Sequence, residues 1–352
     1  MFSITIQDLW FRARQFLIAV VGASLVFAMA VLLSGLAAGF SVEISSTIAG
    51  TGAEAWVMAD GATGRLTALP PIQMATAERA EGALRAAGAG RVDPIIITTS
   101  AATIGTNLAT VVVIGSPIGG LGAPTADSGR SVTQPGQAVV DSGLGIRIGQ
   151  QFDVSGQRLQ AVGIVNGRTL DGGTSEIFVP LRTAQSIAYG GRRLVGAIIT
   201  SRQPERAPTG FSVRSDSEVQ AATYTEVAPA VSSIQNTRLF MWFIAAVIVA
   251  ALIYVTALER TRDFAILKAL GSSSVVLFAS LALEAVLVSL IAAAVAAGLA
   301  NLMTGVFSQP VDIPISAFLS LPLAAIAVGL VSSLAAVRRA VSADPSSAFA
   351  GA

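Results

Sequence analysis

The stretch Glu259-Arg260-Thr261-Arg262-Asp263-Phe264-Ala265-Ile266-Leu267-Lys268-Ala269-Leu270-Gly271 lies between two long apolar runs, Leu239–Leu258 and Val275–Ala300. It gathers Arg260, Arg262 and Lys268, the chain's only lysine, into a very short space. Opposite charges recur at i,i+3, Glu259 with Arg262 and Arg260 with Asp263, a spacing that supports a helix. Phe264, Leu267 and Gly271 fall on one side of that helix, with Ile266 and Leu270 beside them. Gly271 predicts its end, and the serines that follow predict the start of the next helix. A short charged helix between membrane spans that still carries apolar side chains offers a docking surface. The plainer reading is a basic loop that only fixes topology.

Outward from this connector the chain reads as four spans. Leu17–Phe40 is free of charge and long enough to cross a bilayer. It is longer than the apolar core of a signal peptide and continues into Ser41–Ala49, so it reads as a retained first span. The others are expected over 238–258, 275–300 and 317–337, with a connector over 259–274 and a loop over 301–316. Trp242 stands where an interfacial anchor belongs. Residues 1–16 hold an apolar stripe, Phe2, Ile6, Leu9 and Trp10, that fits an amphipathic helix lying on the membrane, and 338–352 form a tail. Gly35 and Gly39 make a small-xxx-small pair suited to close helix packing or dimer contact. Glu284, a carboxylate inside the third span, reads as a residue that orders the bundle rather than one that carries cargo.

Basic residues set the orientation. Arg12 and Arg14 precede the first span, Arg260, Arg262 and Lys268 lie between the second and third, and Arg338 and Arg339 follow the fourth. All fall on one side of a four-span chain, which puts both ends in the cytoplasm and the large insertion outside. Across 352 residues, 53% hydrophobic and 12% charged, the mean hydropathy is +0.70, as expected of a membrane protein with a sizeable polar part. A net charge of +1 gives no case for nucleic acid. The chain has no Cys, hence no disulfide framework, and no His, which removes the commonest metal ligand and general base.

Residues 41–237 differ in composition. From Val42 to Thr237 the chain carries fourteen Arg against fifteen acids, with many Gly and Pro turns. Strands are expected at Ala55–Met58, Asp93–Thr99, Thr110–Ile114, Gln137–Asp141, Arg158–Val165, Glu176–Val179 and Val195–Ser201. The alternation in Gly145–Ser155 suits a small β unit that pairs with Arg158–Val165. Helices are expected at Thr76–Ala87 and Leu181–Tyr189, and from about Thr225 into the second span, with Pro229 in the first turn of that last helix. No Gly-x-x-x-x-Gly-Lys-Ser/Thr loop, Gly-x-Ser-x-Gly elbow or zinc motif appears, and Gly143–Gly149 is a poor match to a dinucleotide fingerprint.

The connector resembles the loop between the second and third spans of MacB/FtsX-like ABC transporter permeases. There a charged stretch meets an acidic residue, a few apolar positions and then Leu-Lys/Arg-Ala-Leu/Ile-Gly-Ala/Ser. Here that tail is Leu267-Lys268-Ala269-Leu270-Gly271-Ser272, with Asp263 where the family more often has Glu and Phe264 where Ile is common. The order of elements in the insertion and the ending Asp344-Pro345, with Phe349 near the usual Leu, are similar to the family as well. The resemblance implies an α-helical membrane protein with four transmembrane helices and a large α/β extracytoplasmic domain between the first and second, a β-rich part being inserted at about 139–190. Two long stalk helices would each continue a span.

The resemblance further implies a connector that docks on a separate ABC ATPase through Glu259, Arg260, Asp263, Phe264, Leu267, Lys268, Leu270 and Gly271. ATP and magnesium would sit on that partner, leaving this chain without cofactor, metal or catalytic residue. The implied assembly is a homodimer in the bacterial plasma membrane that moves its outer domain by leverage, for export or extraction of a substrate from the outer side. The alternative is an FtsX-type signalling subunit that activates a cell-wall hydrolase. An extracytoplasmic adaptor protein or hydrolase is the additional candidate partner.

Overall fold

The computed structural model describes residues 13–62, 66–261, 266–268, 270–304 and 311–341. The amphipathic helix expected over residues 1–16 falls mostly outside them, and Arg262, Asp263, Phe264 and the ending Asp344-Pro345 to Phe349 lie wholly outside. Four helices among the described residues are long and apolar enough to cross a membrane, over Val20–Gly50, Asp216–Glu259, Ser274–Met303 and Ile315–Ser333. A mixed α/β domain lies between the first and second. The chain divides into two compact units, one containing the spans and one containing residues 39–231.

In the first unit, helix α1 (Ala13–Gly50) supplies Ala23, Phe27, Val31 and Leu32 to a core shared with the three later span helices. We number these α4 (Asp216–Glu259), α5 (Ser274–Met303) and α6 (Ile315–Val341). Helix α4 contributes Ala245, Val249, Ile253 and Ala257, and α5 contributes Leu277, Leu281, Ala285, Ala292, Ala296 and Ala300. Both sets recur at steps of four or seven residues, the spacing of one helix face. Gly329 of α6 marks a close crossing, because a Cβ there would lie 2.7 Å from the Val286 Cα of α5. Trp242 packs against Phe27, with ring centroids 5.4 Å apart.

The second unit is built on an eleven-stranded sheet. Its strands are β1 (Ala55–Ala59), β3 (Val92–Ile104), β4 (Asn107–Ser116), β5 (Ser128–Gly129), β6 (Gln137–Asp141), β7 (Gln151–Val154), β8 (Gln157–Val165), β9 (Thr169–Leu170), β10 (Thr174–Pro180), β12 (Ala197–Thr200) and β13 (Phe211–Ser215). The main order is β13-β1-β12-β3-β4-β10-β6-β8-β5, with β7 and β9 paired off this path. β2 (Ile72–Gln73) and β11 (Leu194–Val195) form a separate two-stranded sheet. Pairing is parallel between β4 and β10 and between β6 and β8. Helices α2 (Met74–Ala86) and α3 (Leu181–Tyr189) add Ala77, Ala80, Leu84 and Ala184 to the core. Residues 139–190, expected as an inserted part, supply strands hydrogen-bonded into the same sheet as β3 and β4.

Several boundaries depart from the sequence reading. The 145–155 segment forms a strand only at Gln151–Val154, and that strand meets β8 across a two-residue turn. Ser155 (φ 47°) and Gly156 (φ 79°) are both left-handed there, as a tight hairpin of this hand requires. Helix α4 starts at Asp216 rather than near Thr225. The cause is a reciprocal cap: the Ser215 N–H donates to Glu218 Oε2 at 2.7 Å, and the Glu218 N–H donates back to Ser215 Oγ at 3.4 Å. Pro229 is therefore in the helix interior rather than its first turn, where it removes one bond of the helical ladder.

Candidate functional site

Two groups of residues stand out, one in each unit. In the span unit the described part of the connector ends in a well-formed cap. The Ser272 N–H donates to the Leu267 carbonyl at 2.9 Å and the Gly271 N–H to the Lys268 carbonyl at 2.9 Å, with Gly271 left-handed at φ 94°. This double bond pattern satisfies the last carbonyls of a helix and favours glycine at the turning position. Ser273 then caps α5, its Oγ accepting from the Val276 N–H at 3.4 Å. Among the described connector residues three apolar side chains stay uncovered: Ile266 is 44% exposed, Leu267 41% and Leu270 79%.

Arg260 behaves differently from its neighbours. It directly follows the last residue of α4, Glu259, and its N–H donates to the Thr256 carbonyl at 3.2 Å. Its guanidinium turns inward, with Nη1 3.5 Å from Oε2 of Glu284 on α5. The pair is withdrawn from solvent, the two side chains being 14% and 4% exposed. The structure thus brings together two residues that the sequence reading held apart, Arg260 among the docking residues and Glu284 among the packing residues. Gly35 is buried, and a Cβ on it would meet the Val311 and Ile313 side chains at 2.6 and 2.9 Å, so its small size is used within the chain. Gly39 is buried as well.

The second group was missed by sequence reasoning. In the domain, the end of α1 is held through two buried carboxylates, its own Glu43 and Glu176, with a third, Asp141, bracing the adjoining turn. Glu43 accepts from Thr169 Oγ1 at 2.9 Å, the Gly172 N–H at 2.9 Å and the Gly173 N–H at 2.7 Å. Asp171, Gly172 and Gly173 are consecutively left-handed, and Glu43 takes the N–H groups of the two glycines. Backbone runs of unusual hand can form anion-binding hollows of this kind. One turn on, Thr47 Oγ1 donates to Glu176 Oε1, and Arg168 Nε lies 3.0 Å from Glu176 Oε2. Asp141 accepts from the Arg168 and Gly143 N–H groups and from Ser175 Oγ, each at 2.9 Å.

The Arg168 guanidinium also lies over the Phe178 ring and occupies the space a side chain at Gly50 would take. Burial pushes the Glu176 carboxyl above the ordinary carboxylate range, while Arg168 and Thr47 pull it the other way. Glu43 and Glu176 bind backbone, hydroxyl and guanidinium donors across the end of α1 and so act as a clamp on it, while Asp141 fixes the turn that carries Arg168. The signal was present in the sequence, since Glu43 is the only charged residue between Arg14 and Glu54. Elsewhere in the domain, a cleft of about 410 Å³ is lined by uncharged residues, among them Ser116, Ile118, Pro124, Thr133, Phe178 and Pro180.

Comparison with known proteins shows which family the chain belongs to. Residues 238–345 match the model of the FtsX-like permease C-terminal family. Two uncharacterized ABC transporter permeases of Mycobacterium tuberculosis are 35% and 32% identical to this chain over 349 residues, and each alignment covers 98% of both proteins. Among solved structures, the periplasmic region of MacB from Actinobacillus actinomycetemcomitans is 12% identical, covering 51% of this chain and 96% of that one with a TM-score of 0.34. That likeness is too slight to add to what the sequence relatives establish. Because those relatives match over almost the whole chain and its last three spans match the family model, the chain belongs to the FtsX-like ABC transporter permeases, multi-pass membrane subunits that work with an ATPase.

Proposed function

We propose that this permease passes mechanical work from a separate ATPase to the domain between its first and second spans. The reading places both chain ends in the cytoplasm and the domain outside, on the asymmetry of Arg and Lys. ATP and magnesium are bound by the partner, and two copies of the permease assemble with it in the bacterial plasma membrane. The connector docks through Glu259, Asp263, Phe264, Leu267, Lys268, Leu270 and Gly271, and the outcome is export or extraction of a substrate on the outer side.

One observation carries the reading. Helices α1 and α4 each run as one helix from the span unit into the domain unit, over 38 and 44 residues, α4 with Pro229 in its interior. A continuous helix moves as a stiff lever. At its far end α1 is held by the Glu43 and Glu176 clamp, while α4 starts at Asp216, whose Oδ1 accepts from the buried Trp56 Nε1 at 3.0 Å. Levers fixed in this way turn a displacement into movement of the domain. The exposed Ile266, Leu267 and Leu270 supply an apolar surface for the pushing partner.

The test is reconstitution of the full chain with its partner ABC ATPase. Leu267→Asp and Leu270→Asp together are expected to weaken ATPase binding and its stimulation by at least about tenfold, the cost of burying charge in an apolar contact. Unchanged turnover would sink the docking role, and so would finding Lys268 on the same side of the membrane as the large domain.

A further inference from the structure

We infer that Glu284 and Arg260 are positioning residues that tie the connector to the third span. The inference rests on the proposed lever function, because the tie matters only if the connector is pushed. A connector held only through its two chain ends would bend when loaded. Here Arg260, directly after the last residue of α4, reaches sideways to α5, and the ion pair joins the end of one span helix to the body of the next. The adjoining faces are already packed in one core, Ile253 and Ala257 of α4 with Leu277, Leu281 and Ala285 of α5. The pair adds what apolar packing lacks: a directional, distance-dependent contact that fixes register.

Register is the best-attested use of a buried ion pair, since its desolvation cost leaves little net stability. Glu284 is also the only acid buried in the span unit among the described residues. Withdrawn from solvent and turned toward Glu284, the Arg260 guanidinium belongs to the permease's own frame rather than to the surface offered to the ATPase. A push on Ile266, Leu267 and Leu270 would then move α4 and α5 together.

The chain contains a built-in reporter for this tie. Lys268 is its only lysine, so endoproteinase Lys-C can cut the full chain at one peptide bond, inside the connector. In detergent, E284Q and R260Q are each expected to speed that cleavage about tenfold, because cutting follows the population of the released connector. The swapped pair R260E with Glu284→Arg is expected to restore slow cleavage. If the swapped chain fails to assemble, the doubly neutral R260Q/E284Q decides: cleavage no faster than in either single variant supports the tie, and multiplied effects overturn it.

With the ATPase present, E284Q is expected to keep binding within about twofold while losing most of the stimulation of ATP hydrolysis, a split that a merely structural residue would not give. Cleavage at the wild-type rate in E284Q overturns the inference. A wild-type chain that binds and stimulates no ATPase overturns the lever function instead, and leaves the cleavage result readable by itself.

Discussion

At the scale of single residues, the informative side chains are those whose chemistry contradicts their surroundings. Glu43 sits in an otherwise uncharged stretch, is 2% exposed, and has its carboxylate met by three donors. Removing it strands two backbone N–H groups and a hydroxyl in a buried place. Glu43→Ala is expected to cost the domain about 2–4 kcal/mol, since each orphaned donor carries a desolvation penalty. Lower unfolding midpoints would show this, as would faster hydrogen exchange at the Gly172 and Gly173 amides; unchanged exchange there would refute the clamp. The oddity of Glu43 was legible in the sequence, whereas its partners were not. They lie 126 to 130 residues away, and no local pattern specifies which loop folds back to a given carboxylate.

At the scale of elements, helix and strand cores could be read and several ends could not. Gln137–Asp141 and Leu181–Tyr189 follow the sequence pattern to the residue, because each is bounded by local turn chemistry. The start of α4 was placed too late, although Ser215-x-x-Glu218 is a capping signature, because the apolar residues that follow it are too sparse to announce a helix. Helix pairing gives a sharp test. A Cβ at Gly329 would lie 2.7 Å from the Val286 Cα, while a Cβ at Gly298 meets nothing within 4 Å. G329A is expected to destabilise the span unit by about 1–3 kcal/mol through overpacking. G298A, in an open helical position, is expected to be neutral or to stabilise by up to about 1 kcal/mol. Thermal denaturation of the two variants in the same detergent checks the contrast, and equal behaviour would rule out a tight α5–α6 crossing.

At the scale of the whole molecule, the chain joins an apolar helical unit to a polar domain whose stability depends on pH through buried acids. Burial raises the Glu176 carboxyl above its unfolded value, so the folded domain favours the protonated form. The sign follows from linkage: this contribution is full below the unfolded value of about 4.3 and is lost as pH rises through the raised folded value. Relative to wild type, E176Q is therefore expected to gain ground as pH increases from about 4 toward neutrality. Denaturant titrations at several pH values measure the difference, and a gap independent of pH would show that Glu176 titrates as it does in the unfolded chain.

By itself the sequence determined the fold class, the four spans and the family, because hydrophobic length, the capping glycine and the charged connector are local facts that survive without tertiary information. It also marked Arg260 and Glu284 as residues of interest, yet it assigned them to separate tasks. Only the tertiary structure decided that they face each other, that Gly35 is filled against from within the chain, and that Glu43 is gripped by a hairpin far along the sequence. The physical reason is the same in each case. A periodic pattern tells which face of an element is buried, but which partner covers that face depends on how distant segments pack, and the sequence of one segment does not contain that choice.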